Sequence, residues 1–175
     1  MEYLDICDSD GNLTGEKKTK KEAHKKGLWH RSIHVWIINS KDEVLLQKRS
    51  PFVNSHPNKW DISAAGHVSA GEDYIASALR ETEEEIGLKI RPEELIQIGE
   101  LKQMSKREGY INNEINPIYV VKRDLEIKNI KKQYEEVSDV KFMPYKKLEE
   151  IIENKDFSFV SHPEEYALLF EYLSK

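Results

Sequence analysis

Apolar and polar residues alternate in short runs along this chain, and the period of the runs changes several times. Glu2 to Ile6 carries a near two-residue period and predicts a short strand. Asp8-Ser-Asp-Gly11-Asn12 is turn chemistry, with Leu13 to Glu16 as its hairpin partner. Lys20 to Lys26 reads as a short helix stopped by Gly27. Ser32 to Ile38 (SIHVWII) is β-branched and aromatic, as a strand requires. A turn at Asn39 to Asp42 and a strand at Val44 to Lys48 complete a second hairpin. Arg49 to Lys59, with Pro51 and Pro57, reads as a loop, and Trp60 to Ala65 as one strand running into Gly66.

The period then lengthens. From Asp73 to Ile86, Ile75, Leu79, Thr82 and Ile86 recur at i, i+4, i+7, i+11, the stripe of a helix with one buried face, and Gly87 suits its terminator. Strands are predicted at Leu95 to Met104, Glu114 to Lys122 and Val137 to Pro144, then helices at Tyr145 to Glu153 and Pro163 to Ser174. Strands alternating with a few helices predict an α/β chain whose mixed sheet is covered on both faces. The pattern leaves the strand order open.

The polar side of the Asp73–Ile86 helix is its unusual part. At about 100° per residue, Glu81, Glu84 and Glu85 share one arc, while Glu83 points nearly the opposite way. Two like charges about 5.5 Å apart repel by roughly 3 kcal/mol at an effective dielectric of about 20. Arg80 relieves Glu84 at i+4, but a divalent cation neutralises the whole group. Hard carboxylate oxygens suit Mg²⁺ or Mn²⁺, whose remaining positions go to water or phosphate.

The flanks of that helix carry a motif. GHVSAGEDYIASALRETEEEIGL, Gly66 to Leu88, resembles the Nudix box, G-x5-E-x7-R-E-U-x-E-E-x-G-U with U a bulky apolar residue. Gly66, Glu72, Arg80, Glu81, Glu84, Glu85, Gly87 and Leu88 match, and Thr82 departs where an apolar residue is usual. The resemblance implies an α/β/α sandwich and metal-assisted hydrolysis of a diphosphate in a nucleoside diphosphate derivative or related small molecule. It makes Glu84 and Glu85 metal ligands and Glu81 a ligand or the base that deprotonates water. It adds the Gly66 carbonyl to the metal shell, and has Glu72 and Arg80 hold loop and helix together.

Beyond the box, GLWHRSIHVWIINSKDEVLLQKRS, NKWDISAAGHVSAGE and the N-terminal EYLDICDSDGNLTG resemble the Nudix subgroup related to type I isopentenyl-diphosphate isomerase. That enzyme moves a double bond and hydrolyses nothing. It uses a cysteine just before its Gly-His, where this chain has Ala65, and a later glutamate that Glu114 matches. His24, His30 and His67 lie near its metal-binding histidines. The missing cysteine and the complete box favour hydrolysis. Isomerisation and a non-catalytic nucleotide-binding module are the alternatives.

Arg49 is a candidate phosphate grip and Trp60 a candidate stacking surface for a base. Glu135 and Glu136 lie where some Nudix enzymes supply a further acid. The loop from Arg49 to Lys59 and the segment from Ser105 to Asn113 are the expected specificity elements.

Composition adds exclusions. The 175 residues read as one domain, residues 1–30 forming an extension to it. A net charge of −5 gives no reason to expect nucleic acid. Cys7, alone, allows no internal disulfide and fits a cytoplasmic setting, and no apolar run suggests a signal peptide or a membrane span. The N-terminal segment either caps the domain or exchanges with a partner, which leaves a homodimer open.

Overall fold

The computed structural model describes residues 1–175. β1 (Tyr3–Cys7) and β2 (Leu13–Thr19) form the first hairpin. Asp8 fixes its turn by accepting from the amides of Asp10 and Asn12. α1 (Lys20–Lys26) starts at a reciprocal Thr19–Glu22 cap and stops at Gly27, whose φ of 64° is the left-handed conformation glycine adopts without strain.

β3 (Trp29–Ile38) is the axis of the sheet. Along one side it pairs in parallel with β8 (Tyr110–Lys122). Along the other it meets three strands in turn: β1 at Ile6↔His30, β6 (Ala64–His67) over Ser32 to Val35, and β4 (Glu43–Arg49) at Ile38↔Val44. β3 and β4 therefore touch only at one end and diverge from there. The segment from Trp60 to His67 fills the wedge, and this corrects the single strand expected for Trp60 to Ala65. β5 (Trp60–Asp61) pairs with β4, and the chain then crosses to β3 as β6. Ser63 stitches the crossing, its Oγ donating to the Leu45 carbonyl and accepting from the Ile37 amide.

α2 (Tyr74–Ile86) is capped by Asp73 and ended by Gly87 at φ 68°. Its buried Ala78 and Ile86 pack on Ile33, Val35 and Ile37, the face of β3 turned toward it. Thr82 is fully buried, and its hydroxyl donates to the Ala78 carbonyl 2.7 Å away in the same helix. The polar atom at a position usually apolar is thus satisfied locally. Glu83 is exposed and pairs with Lys89.

β7 (Ile96–Arg107) pairs with β8 as far as Arg107↔Tyr110. Ser105 to Asn113, the segment between the two expected strands, is therefore the end of a long hairpin. A two-residue Glu108–Gly109 turn, with Gly109 at φ 69°, lets the ladder run to the tip. β9 (Val137–Pro144) closes the far side on β4. α3 (Tyr145–Glu153) and α4 (Pro163–Leu173) cover the second face, where Leu148, Tyr166 and Leu169 pack on Trp36, Ile38 and Leu46. The mixed sheet between helical layers is the expected α/β/α arrangement. No helix is long and apolar enough to cross a membrane.

Candidate active site

An open cleft of about 1090 Å³ runs along the β3 sheet face that carries His30, Ser32 and His34. The wedge between β3 and β4 lets side chains of α2 reach it. Glu81, Glu84 and Glu85 all line the cleft, as does Gly66. A Cβ on Gly66 would sit 2.2 Å from the Glu81 carboxyl carbon, so a larger residue there displaces the Glu81 side chain. Glu85 is buried, and one of its oxygens accepts from the Gln47 amide at 2.9 Å and the Ala65 backbone N–H at 3.1 Å. Glu84 is half exposed.

Arg80 ties these acids to the loop before the helix. It pairs with Glu72, reaches Glu81 at 2.7 Å and Glu84 at 3.2 Å, and donates to the His67 carbonyl. Ser77 holds Glu72 from the far side at 2.6 Å. One guanidinium does not balance the group. Burial raises the Glu85 carboxyl to about 8, with Glu81 adding to the shift against the two amide donors. Burial likewise raises Glu81 to about 7, with Glu84 and Glu2 adding and Arg80 opposing. Carboxylates this costly to ionise are set up to receive a cation.

A second cluster adjoins the first, His67 following Gly66 directly along β6. His24 from α1, His30 from β3, His67 from β6 and Glu114 from β8 place one ligand atom each within 4.8 Å of one another. His30 donates from Nδ1 to the Leu28 carbonyl, and His24 meets the Lys20 carbonyl through Nδ1 and the Asn112 side-chain oxygen through Nε2, 2.9 Å away. The Nε2 atoms of His30 and His67 lie 3.4 and 3.2 Å from Glu114 Oε1, yet both are buried without a hydrogen bond. Burial and the neighbouring rings push His24 down to about 4, leaving it neutral and able to ligate. Burial opposes ionisation of Glu114, but His30 and His67 outweigh it and hold its carboxyl well below the usual range. Three imidazoles and one carboxylate suit a borderline divalent ion such as Mn²⁺ or Zn²⁺.

Residues 28–162 match the NUDIX domain. The chain belongs to the Nudix family of pyrophosphohydrolase enzymes. It is 37% identical over 177 residues to Nudix hydrolase 3 of Arabidopsis thaliana, covering 97% of this chain but only 23% of that protein. It is 36% identical to an uncharacterized Nudix hydrolase of Clostridium acetobutylicum, over 88% of this chain and 75% of the relative. An isopentenyl-diphosphate Δ-isomerase of Aliivibrio fischeri is 28% identical across 98% of this chain and 97% of its own, so the resemblance to that subgroup holds. Among solved structures, DR0079 of Deinococcus radiodurans shares the fold, with a TM-score of 0.72 at 18% identity over 98% of this chain and 99% of the other.

Within this Nudix domain the other candidate residues separate. Arg49 lines the cleft, pairing with Asp61 at 3.1 Å and donating from Nε to the Ser55 carbonyl. Glu135 and Glu136 line it too. Glu114 is buried on the cleft floor, not exposed at a strand end. Trp60 is not a lining residue. Its ring lies 3.8 Å from the Lys141 ammonium and packs on the core under α3 and α4. Ala65 occupies the place of the isomerase cysteine, beside His34 in the β3–β6 ladder.

Several residues in and around the cleft escaped the sequence reading. Gln47 steadies Glu85, and Ser32 and Asn116 hydrogen-bond across the floor. Buried Glu165, from the first turn of α4, receives His34 Nδ1 at 2.7 Å and Trp36 Nε1 at 2.8 Å. His162 meets Asp61 at 2.8 Å. The available signal was His30-x-Ser32-x-His34 in β3, polar residues at a two-residue spacing on one face of an otherwise apolar strand.

Proposed function

We propose that this protein is a Mg²⁺- or Mn²⁺-dependent hydrolase that cleaves the diphosphate linkage of a nucleoside diphosphate derivative or related small molecule. The observation that carries this reading is the convergence of Glu81, Glu84, Glu85 and Gly66 at one side of the cleft, with two of the carboxyls pushed up by burial. Glu84, Glu85 and the Gly66 carbonyl would hold the ion, with Arg80 and Glu72 keeping helix and loop in register around it. An ion there would neutralise diphosphate charge and make hydroxide accessible near neutral pH.

Glu81 takes the proton of the attacking water. The water oxygen bonds to one phosphorus, the bridging P–O bond breaks, and its electron pair leaves with the second phosphate group. Arg49 receives phosphate oxygens across the cleft. The histidine cluster supplies a second cation position for a substrate that carries several negative charges.

That cluster and the isomerase relatives favour a second reading, isomerisation of isopentenyl diphosphate. Ala65 counts against it, since a methyl group cannot move a proton. A panel of nucleotide sugars, dinucleoside polyphosphates, nucleoside di- and triphosphates and isopentenyl diphosphate, assayed with Mg²⁺ and with Mn²⁺ in ¹⁸O-water, separates the readings. Metal-dependent release of ¹⁸O-labelled phosphate from at least one diphosphate is expected. Dimethylallyl diphosphate formed without label uptake establishes the isomerase instead. Ligand binding without any turnover establishes a binding module.

A further inference from the structure

One imidazole in the cleft is held as neither cluster holds its own. His34 is 6% exposed, and Nδ1 is fixed by Glu165, itself fully buried and anchored by the Trp36 indole. The contact of Nδ1 with Glu165 is the hydrogen bond of the ring within the protein, which leaves Nε2 for a ligand, and His34 lines the cleft. His34 is directly opposite Ala65 in the β3–β6 ladder, so the two side chains share a face. The Ala65 backbone N–H in turn holds Glu85. The His34 ring edge is thus one cross-strand step, about 5 Å, from the residue that touches the carboxylate cluster.

Its surroundings continue the pattern. The His162 ring centre is 5.8 Å from that of His34. Asp61, buried, binds both His162 and Arg49, and Arg49 Nη2 has no partner. Two buried carboxylates therefore orient basic side chains and leave one donor of each, His34 Nε2 and Arg49 Nη2, facing the cleft.

We propose that His34 is a specificity-determining residue whose Nε2–H, together with Arg49, binds an oxygen of the substrate phosphoryl group that lies away from the carboxylate cluster. The proposal rests on the diphosphate reading above and extends it by dividing the substrate between the two sides of the cleft. Charge supports it. Burial disfavours the imidazolium, but Glu165 against Nδ1 outweighs burial and raises its pKa to about 9, so the ring carries a proton at neutral pH. A charged donor suits an anionic phosphoryl oxygen better than a sugar hydroxyl.

The test is calorimetric titration of the full chain, in Mn²⁺, with imidodiphosphate, a diphosphate that water does not cleave. His34→Asn keeps a donor to Glu165 and removes the one in the cleft. His34→Gln does the reverse. Affinity should fall about 10- to 100-fold in His34→Asn and stay within about threefold of wild type in His34→Gln, with binding of Mn²⁺ alone unchanged in both. Wild-type affinity in His34→Asn overturns the proposal. So does an equal or greater loss in His34→Gln, which assigns His34 to the Glu165 contact alone. Imidodiphosphate should also shift the His34 Nε2–H proton resonance of the wild-type protein, and no shift at saturation overturns the proposal without any variant. Tight imidodiphosphate binding in a protein that cleaves nothing in the panel sinks the hydrolase reading and leaves this subsite standing.

Discussion

The cleft has two clusters able to hold a cation, and they are built in opposite ways. Glu81, Glu84 and Glu85 come from little more than one turn of α2, and burial raises two of their carboxyls to about 7 and 8. His24, His30, His67 and Glu114 come from four separate elements, and there the imidazoles pull the one carboxyl down. The first cluster is a group of like charges that needs a cation. The second sets three imidazole rings around a single carboxylate. The difference separates the chemistry: the oxygen cluster suits a hard ion that activates water, and the nitrogen-rich cluster a softer ion that fixes substrate charge.

The largest effect expected from breaking this contrast is on Glu81. Glu81→Gln should lower kcat about 10²- to 10⁴-fold with bound metal retained, as steady-state kinetics and a metal assay would show together. A loss confined to KM would remove Glu81 from the proton transfer. Next comes Gly66→Ala. The new Cβ meets Glu81 at 2.2 Å, and a displacement of about 1 Å costs on the order of 100-fold in kcat. An unchanged rate would mean that the position of Glu81 is not critical.

The same contrast explains what the sequence made legible. The helix acids lie within five residues, so helical periodicity alone puts them on one arc and excludes Glu83. Thr82 was assignable to the core from the same periodicity, and its hydroxyl proved to be satisfied inside the helix. The second cluster has members 90 residues apart, from His24 to Glu114, and only the family resemblance grouped them. The His34–Glu165 pair spans 131 residues and requires α4 to dock on β3. No local pattern encodes that docking. The break at Ile62 was hidden for a related reason, because a chain that changes strand partners keeps the composition of a strand.

A smaller effect sharpens the contrast from the nitrogen-rich side. His67→Asn should weaken one class of Mn²⁺ sites about 10- to 100-fold and leave the other class intact, as followed by electron paramagnetic resonance of free Mn²⁺. Loss of both classes would show a single shared site. The smallest effect is on stability. Glu85 titrates near 8 in the metal-free fold against an ordinary value of 4.5. Its folded-state pKa is raised, so its contribution is fully present below about 4.5 and is lost as pH rises through 8. Relative to Glu85→Gln, the metal-free wild-type protein should therefore lose Tm as pH rises toward 8.5, and Mn²⁺ should restore it. A constant difference between the two across that range would contradict the shift.

The central claim is that the carboxylates of α2 carry metal-dependent hydrolysis. Its most direct test is the rate of phosphate or nucleotide release from a responsive diphosphate by Glu84→Gln and Glu85→Gln, each measured across a Mg²⁺ and Mn²⁺ series beside the wild-type protein. The account predicts that metal-dependent release falls to background in both variants while imidodiphosphate still binds opposite them at His34. Full wild-type turnover in both would contradict it.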